Sequence, residues 1–286
     1  MRTALGVVAV AVAALLLVAT FRSTSARQPS IPAKPKKIVS LTLASSEILI
    51  DLVPPERITA LHRIAADSSH SNIRERAKQF RLVGSDLEQI VALEPDLVII
   101  ASYSTKEFVE QLRRAGLPLY TVTEFDDVDS ICRSIEALGK AVGEPERVRE
   151  MVAHMRSEIE AIRRKIPANR PPKQVISLAQ SGTTAGRRTS FDALINLAGA
   201  RNVAAEQGIE MFGTISAEQV VAWDPDVIVV GKDPDTGSSL KARLLTDGAY
   251  ATLRSRKIIE VPYPHLTCVS QYIVEGLRDL VEGLYE

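Results

Sequence analysis

The sequence predicts an α/β protein: two Rossmann-like lobes with mainly parallel sheets, joined by one long α-helix, with a ligand cleft between the lobes. Three observations carry this expectation. The stretch DLEQIVALEPDLVII at 86–100 returns as SAEQVVAWDPDVIVV at 216–230, with six of fifteen positions identical. The halves that hold these copies open alike, with KKIVSLTL at 36–43 and KQVISLAQ at 173–180. Between them, EPERVREMVAHMRSEIEAIRRKIP at 144–167 places Val148, Met151, Val152, Met155, Ile159, Ile162 and Ile166 at helical spacing.

The elements follow in order. Arg2, the apolar run 4–19 and the small residues Thr24-Ser25-Ala26 form an export signal, with cleavage expected after Ala26. An uncleaved anchor is the alternative, because a run of this length approaches what a bilayer needs. Both place the folded part outside the cytoplasm, and no Cys follows the run to serve as a lipid attachment point. RQPSIPAKPK at 27–36 is proline-rich and aperiodic, an extended tether.

The first lobe is expected over 37–143. A short β-branched strand leads into ASSEILIDLV, where Ser45 or Ser46 can cap a helix with Ile48, Leu49, Leu52 and Val53 on its apolar side. PPERITALH at 54–62 is a turn and a second strand. In the repeated stretch Asp86 stands at an N-cap with Gln89 three residues on, the capping-box spacing. Pro95 ends that short helix, and DLVII is the continuous apolar run of a strand covered on both faces. The second copy reads the same way, with Ser216, Gln219, Pro225 and DVIVV; Trp223 falls where the first copy has Leu93 and is a core position.

The segment 144–167 has Pro145 in its first turn and Pro167 past its end, and some 22 residues give a rod of about 33 Å. A rod between two matched lobes acts as a strut. The second lobe is expected over 168–286, with SFDALINLAGARNV (190–203) as one helix bearing Leu194, Ile195, Leu197 and Ala198 on its apolar side.

Composition narrows the function. Lys+Arg and Asp+Glu are 35 each, so no global basic field exists to hold nucleic acid or an anionic membrane. HExxH, GxSxG, CxxC and a P-loop are all missing, and SGTTAG at 181–186 lacks dinucleotide-loop spacing. His154 on the long helix reads as a surface or packing residue, and Asp126–Asp127 as a helix-start charge pair. Cys132 and Cys268 are read as free thiols, the first buried on a helix. The chain is therefore expected to bind rather than catalyse: no catalytic residue, resident metal or cofactor is assigned.

Taken together, the exported N-terminus, the SSEIL opening, the repeated stretches, the linking helix and TAGRRTSFDALINLAGARNVAAE resemble the helical-backbone (class III) periplasmic substrate-binding proteins of ABC importers. The resemblance covers about residues 36–286. It implies a receptor for cobalamin, a ferric siderophore or haem that hands its cargo to a permease dimer in the inner membrane. It also implies that Glu88 and Glu218, in one register of the two copies, dock onto permease arginines. Each glutamate alone has a plainer role, since an acid in a first helical turn stabilises the helix dipole by about 0.3–1 kcal/mol.

Ligands of open α/β sheets sit beyond the carboxyl ends of the strands. The loops there offer Ser45, His62, Arg63, Tyr103, Thr183, Arg187, Arg188, Tyr263 and His265 as ligand-binding candidates. Arg187 and Arg188 could pair with carboxylates; His62, His265 or Tyr103 could ligate iron. The loop RLVGSD before Glu88 is shorter than in relatives where it carries a ligand-contacting tyrosine, which weighs against haem. Two rival readings remain: a divalent metal-ion receptor using His62, His70 and His265, and a periplasmic chelatase-like enzyme.

Overall fold

The computed structural model describes residues 29–123 and 127–286. The segment expected to be an export signal, the first two residues of the expected tether and Asp126 lie outside the described residues. The first lobe contains β1 (Ile38–Ser40), α1 (Leu43–Leu52), β2 (Ile58–His62), α2 (Arg74–Ala77), β3 (Leu82–Val83), α3 (Leu87–Val91), β4 (Leu97–Ala101), α4 (Lys106–Arg114), β5 (Leu119–Val122) and α5 (Val128–Ala141). Its five strands form a parallel sheet in the order β3-β2-β1-β4-β5. All five residues of β4 are buried, as a strand covered on both faces requires.

The second lobe follows α6 (Pro145–Arg163) and contains β6 (Gln174–Ser177), β7 (Thr183–Ala185), α7 (Ser190–Leu197), β8 (Arg201–Asn202), α8 (Val203–Glu206), β9 (Phe212–Thr214), α9 (Ala217–Trp223), β10 (Val227–Lys232), α10 (Lys241–Thr246), β11 (Lys257–Pro262), α11 (Tyr263–Leu266) and α12 (Ile273–Tyr285). Four of its strands form a parallel sheet, β11-β10-β6-β8, while β7 and β9 pair separately and antiparallel.

Helix α6 runs 19 residues, about 28 Å. Its buried residues are Val148, Val152, Met155, Ile159 and Ile162, spaced four and three apart, so one stripe faces inward. That stripe packs on α5 of the first lobe and α12 of the second. At the α5 contact a Cβ on Gly139 would lie 2.3 Å from Val148 Cβ, so the helices touch there because residue 139 has no side chain. One apolar cluster runs unbroken from Ile38, Leu49 and Leu97 through α6 to Leu194, Ile259 and Leu277. The strut is therefore glued along its length to both lobes. Trp223 packs against the second lobe's outer core.

Three local expectations need correction. Thr42, not Ser45 or Ser46, caps α1: its backbone is extended and its hydroxyl accepts from Ser45 N at 3.0 Å. The predicted helix 190–203 is broken after Leu197, where Gly199 adopts φ +67° and lets the chain turn back to the sheet as β8. QSGTTAGRR is not all loop, since Thr183–Ala185 pair with Phe212–Thr214. Cys132 and Cys268 are both buried free thiols.

Candidate functional site

The order of each sheet reverses next to its first strand, between β1 and β4 in one lobe and between β6 and β10 in the other. Such a switch point parts the flanking loops and leaves a crevice at the carboxyl edge. The two crevices face each other and merge into one cavity of about 1030 Å³. Thr42, Ala101 and Val122, at or just beyond the ends of β1, β4 and β5, line it from the first lobe; Leu178, Gln180 and Gly231, in the loops after β6 and late in β10, line it from the second. Its walls are aliphatic and aromatic with many hydroxyls, among them Ser69, Ser181, Thr183, Ser190, Thr236 and Thr267. Tyr103 from the first lobe is 77% exposed and Phe212 from the second 62%, large rings that water would not otherwise be left to cover.

Of the predicted candidates, Tyr103, Thr183, Arg188 and Tyr263 line this cavity. The other five do not. Ser45 is fully buried, bonded to Ser40 and Thr42, because the cap one turn earlier draws it into the helix base. His62 caps the short turn after β2, accepting from Ile64 N at 3.4 Å, and partial burial beside Arg63 lowers its pKa. Arg63 is exposed, its side chain lying against Gly84. Arg187 turns away towards Glu210 at 3.5 Å. His265 pairs with Asp279 of α12 at 2.6 Å, fixing α11 rather than serving the cavity. His70 lines the cavity, with Nδ1 at 2.9 Å from Asp67 and its ring edge-on to Tyr263. The structure thus separates His62, His70 and His265. Among the described residues no group of three or more His, Cys, Asp or Glu side chains is placed to hold a metal ion.

Several contacts cross between lobes. Ser69 Oγ donates to Asp233 Oδ2 at 2.8 Å, and Arg74 pairs with Asp235. Backbone N–H groups of Thr236 and Asp235, with the Ser69 hydroxyl, also point at Asp233 and hold its pKa down at about 2. Deeper in, Glu47 is fully buried. Its carboxylate accepts from Asn72 N (3.0 Å) and Asn72 Nδ2 (2.9 Å) on its own lobe and from Ser270 Oγ (2.7 Å) on the other. Gln271 Nε2 reaches Glu47 O and Asp51 Oδ2, and Tyr272 OH reaches Asp51 Oδ2. Burial raises the Glu47 pKa despite these bonds. One flank of the cleft is thereby clasped.

Sequence reasoning missed Glu47, Phe212, Met211 and the Ser69–Asp233 clasp. Phe212 had a usable signal, an aromatic beside Gly213 ahead of a helix cap; the clasp had none, since its partners are 164 residues apart.

Glu88 and Glu218 are exposed in the first turns of α3 and α9, helices capped by Asp86 and Ser216 and each followed by a central strand of its sheet. A helix that returns to the start of a parallel strand begins at the carboxyl edge. A hydrogen bond with Ser216 lowers the Glu218 pKa.

Comparison with known proteins agrees with this architecture. An ABC transporter substrate-binding lipoprotein of Bacillus subtilis, YvrC, is 25% identical over 93% of this chain and 85% of its own length. A cobalamin-binding protein of Halobacterium salinarum is 24% identical over 90% of this chain and 71% of its own. Among solved structures, the periplasmic heme-binding protein RhuT from Roseiflexus sp. RS-1 in apo form superposes with a TM-score of 0.74 and 29% identity, covering 87% of this chain and 98% of that one. The periplasmic binding protein family model matches residues 38–263, from the first strand to the start of α11, and with it the chain is placed as a member of that family.

Proposed function

We propose that the chain is an extracytoplasmic substrate-binding protein that delivers a metal chelate of the cobalamin or ferric-siderophore type to an ABC transporter permease, without catalysing a reaction. The observation that carries this reading is the cavity of about 1030 Å³ at the facing carboxyl edges of both sheets, large enough for a bulky chelate and rich in hydroxyl and apolar surface. The continuous core through α6 supports a small lobe movement on loading rather than a wide hinge. Glu88 and Glu218, one per lobe, are the proposed contacts to two copies of a permease subunit. The proposed location is the periplasm, reached by the export signal.

Thermal melting across cyanocobalamin, several ferric chelates, haemin and free divalent ions tests this. A cognate cargo at a hundredfold its dissociation constant adds about 2.7 kcal/mol of stability. A shift with free ions alone, or with none of the set, refutes the reading. Haem is a second reading, favoured by the RhuT likeness and by Tyr103, Tyr263 and His70 at the cavity wall. It calls for a change in the haemin absorption bands as an axial ligand binds, which a cargo held only by its periphery does not produce.

A further inference from the structure

The segment 67–74, leading from β2 into α2, meets the second lobe at several points. Ser69 Oγ donates to Asp233, Arg74 pairs with Asp235, the His70 ring stands edge-on to Tyr263 at 5.3 Å, and Asn72 Nδ2 reaches Pro264 O at 3.4 Å. Both sides of this junction are built before they meet. In the first lobe Asp67 Oδ1 accepts from Ser69 N at 2.9 Å, Ser71 N donates to Asp67 O at 3.1 Å, and the buried Ser71 hydroxyl donates to Ala65 O at 2.6 Å. In the second, Asp233 Oδ1 accepts from the N–H groups of Asp235 and Thr236, and Gly237 N donates to Asp233 O at 2.9 Å. Each tip keeps its shape through bonds within its own lobe. Only the contacts between the tips have to break for the lobes to part here.

Those contacts change in kind with depth. At the rim the Arg74 and Asp235 side chains are partly exposed, and they do not line the cavity, although Ser69, His70 and Asp233 beside them do. Three residues on from Ser69, Asn72 gives both its backbone N–H and its Nδ2 to Glu47, which has no solvent exposure and is shared with Ser270 Oγ of the other lobe. Cys268 Sγ lies 3.4 Å from the same carboxylate. An exposed ion pair is weak and screened by salt. A buried, hydrogen-bonded carboxylate is costly to uncover. The junction therefore has one end that releases easily and one that does not.

We propose that segment 67–74 is a salt-sensitive latch on the cavity rim: its contacts to Asp233 and Asp235 open and close while the Glu47–Ser270 bond stays made as the pivot. Opening the latch widens the cavity mouth on this flank, so it sets how fast cargo enters and leaves. This last consequence rests on the transport reading above, whereas the latch itself does not.

The test has a cargo-free arm and a cargo arm, on the wild-type chain and on Arg74→Gln, Asp235→Asn, Arg74→Lys and Lys78→Gln. Lys78 pairs with Glu75 inside the first lobe and controls for a lost surface charge. Ligand-free melting first establishes that each variant folds. Spin labels on Gln79→Cys and Lys232→Cys, both exposed positions on opposite sides of the rim, read the distance across it. Raising salt from about 0.02 M to about 0.5 M is expected to add a longer distance in wild type, as screening weakens the rim pair. Arg74→Gln and Asp235→Asn show that longer distance at both salts, while Arg74→Lys and Lys78→Gln behave as wild type. Without introduced cysteines, Cys268 stays unlabelled by a thiol reagent throughout, as mapped by peptide mass. In the cargo arm, cyanocobalamin and haemin are mixed rapidly with each chain. For a probe that binds, Arg74→Gln raises association and dissociation rates each by about two- to fivefold, the factor a surface ion pair supplies. Its Kd stays within about twofold, since residue 74 does not line the cavity. A distance that ignores both salt and variant, or Cys268 labelling that rises with the longer distance, overturns the latch and its pivot. Unchanged rates in Arg74→Gln overturn its control of cargo exchange. If neither probe nor any other chelate binds the wild-type chain, the transport reading falls, and the distance and thiol measurements still decide the latch.

Discussion

Replacing Glu47 tests how the lobes are fastened. Its carboxylate gathers Asn72 N, Asn72 Nδ2 and Ser270 Oγ within 3.0 Å in a place with no solvent exposure. In Glu47→Ala the Ser270 hydroxyl can turn to Cys268 Sγ, 3.0 Å away, but the two Asn72 donors lose their shared acceptor. An orphaned buried donor costs about 1–3 kcal/mol, and Asn72 Nδ2 keeps a long bond to Pro264 O at 3.4 Å, so the expected loss is about 2–4 kcal/mol. Glu47→Gln keeps an acceptor for Asn72 and places its NH₂ where Ser270 Oγ can accept, so about 1 kcal/mol is expected. Urea unfolding of both variants at several pH values measures this, read as midpoint shifts at constant slope. The pH dependence has a definite sign. Burial raises the Glu47 pKa in the folded state, so its linkage contribution is fully present below the unfolded glutamate value and is lost as pH rises through the folded one. Wild type should therefore lose ground against Glu47→Gln as pH increases over that window. A Glu47→Ala cost below about 1 kcal/mol, or a wild-type advantage that grows with pH, refutes the reasoning.

Three other outcomes are expected. Glu88→Ala with Glu218→Ala should abolish uptake by whole cells while cargo affinity stays within about twofold; uptake that survives in the double variant removes the docking assignment. Tyr103→Ala and Phe212→Ala should each weaken cargo binding by roughly 1–2 kcal/mol, about five- to thirtyfold by titration, with little change in ligand-free melting because both rings are mostly exposed. Arg57 is buried, with Nη1 at 2.5 Å from Glu144 Oε1 and Nε at 2.7 Å from Pro35 O, tying the chain before β1 to the start of α6. Arg57→Ala should cost about 3 kcal/mol in urea unfolding, softened by the Lys34 partner that Glu144 retains at 3.2 Å.

Much of the fold was legible because it is written in short-range signals. Asp86 and Ser216 accept from the N–H three residues on, but only at Ser216 does the residue at that position, Gln219, bond back and close the capping box. The apolar runs after Pro95 and Pro225 are buried parallel strands, and a strand covered on both faces takes apolar side chains at every position. The cap of α1 was misread because Thr42, Ser45 and Ser46 all carry hydroxyls, and only the end of β1 at Ser40 decides which one precedes the first turn. The helix 190–203 was drawn too long because Gly199 is tolerable in a helix by pattern, and its left-handed turn is imposed by β8 joining the sheet.

The site divided along the same line. Loop membership could be read from strand ends, so Tyr103, Thr183, Arg188 and Tyr263 were reachable from sequence. Which of two adjacent arginines faces the cavity was not, because it depends on the Gly186–Met211 pairing across the hairpin.

By itself the sequence determined two repeated α/β halves and an amphipathic rod between them, since hydrophobic period, caps and proline stops act over a few residues. Tertiary structure alone decided that the halves share one core through that rod, that Glu47 and Asp233 clasp them, and which side chains meet in the cavity. The clasp bonds Ser69–Asp233 and Glu47–Ser270 join residues 164 and 223 positions apart, and no local pattern constrains a pairing made only when two folded surfaces meet.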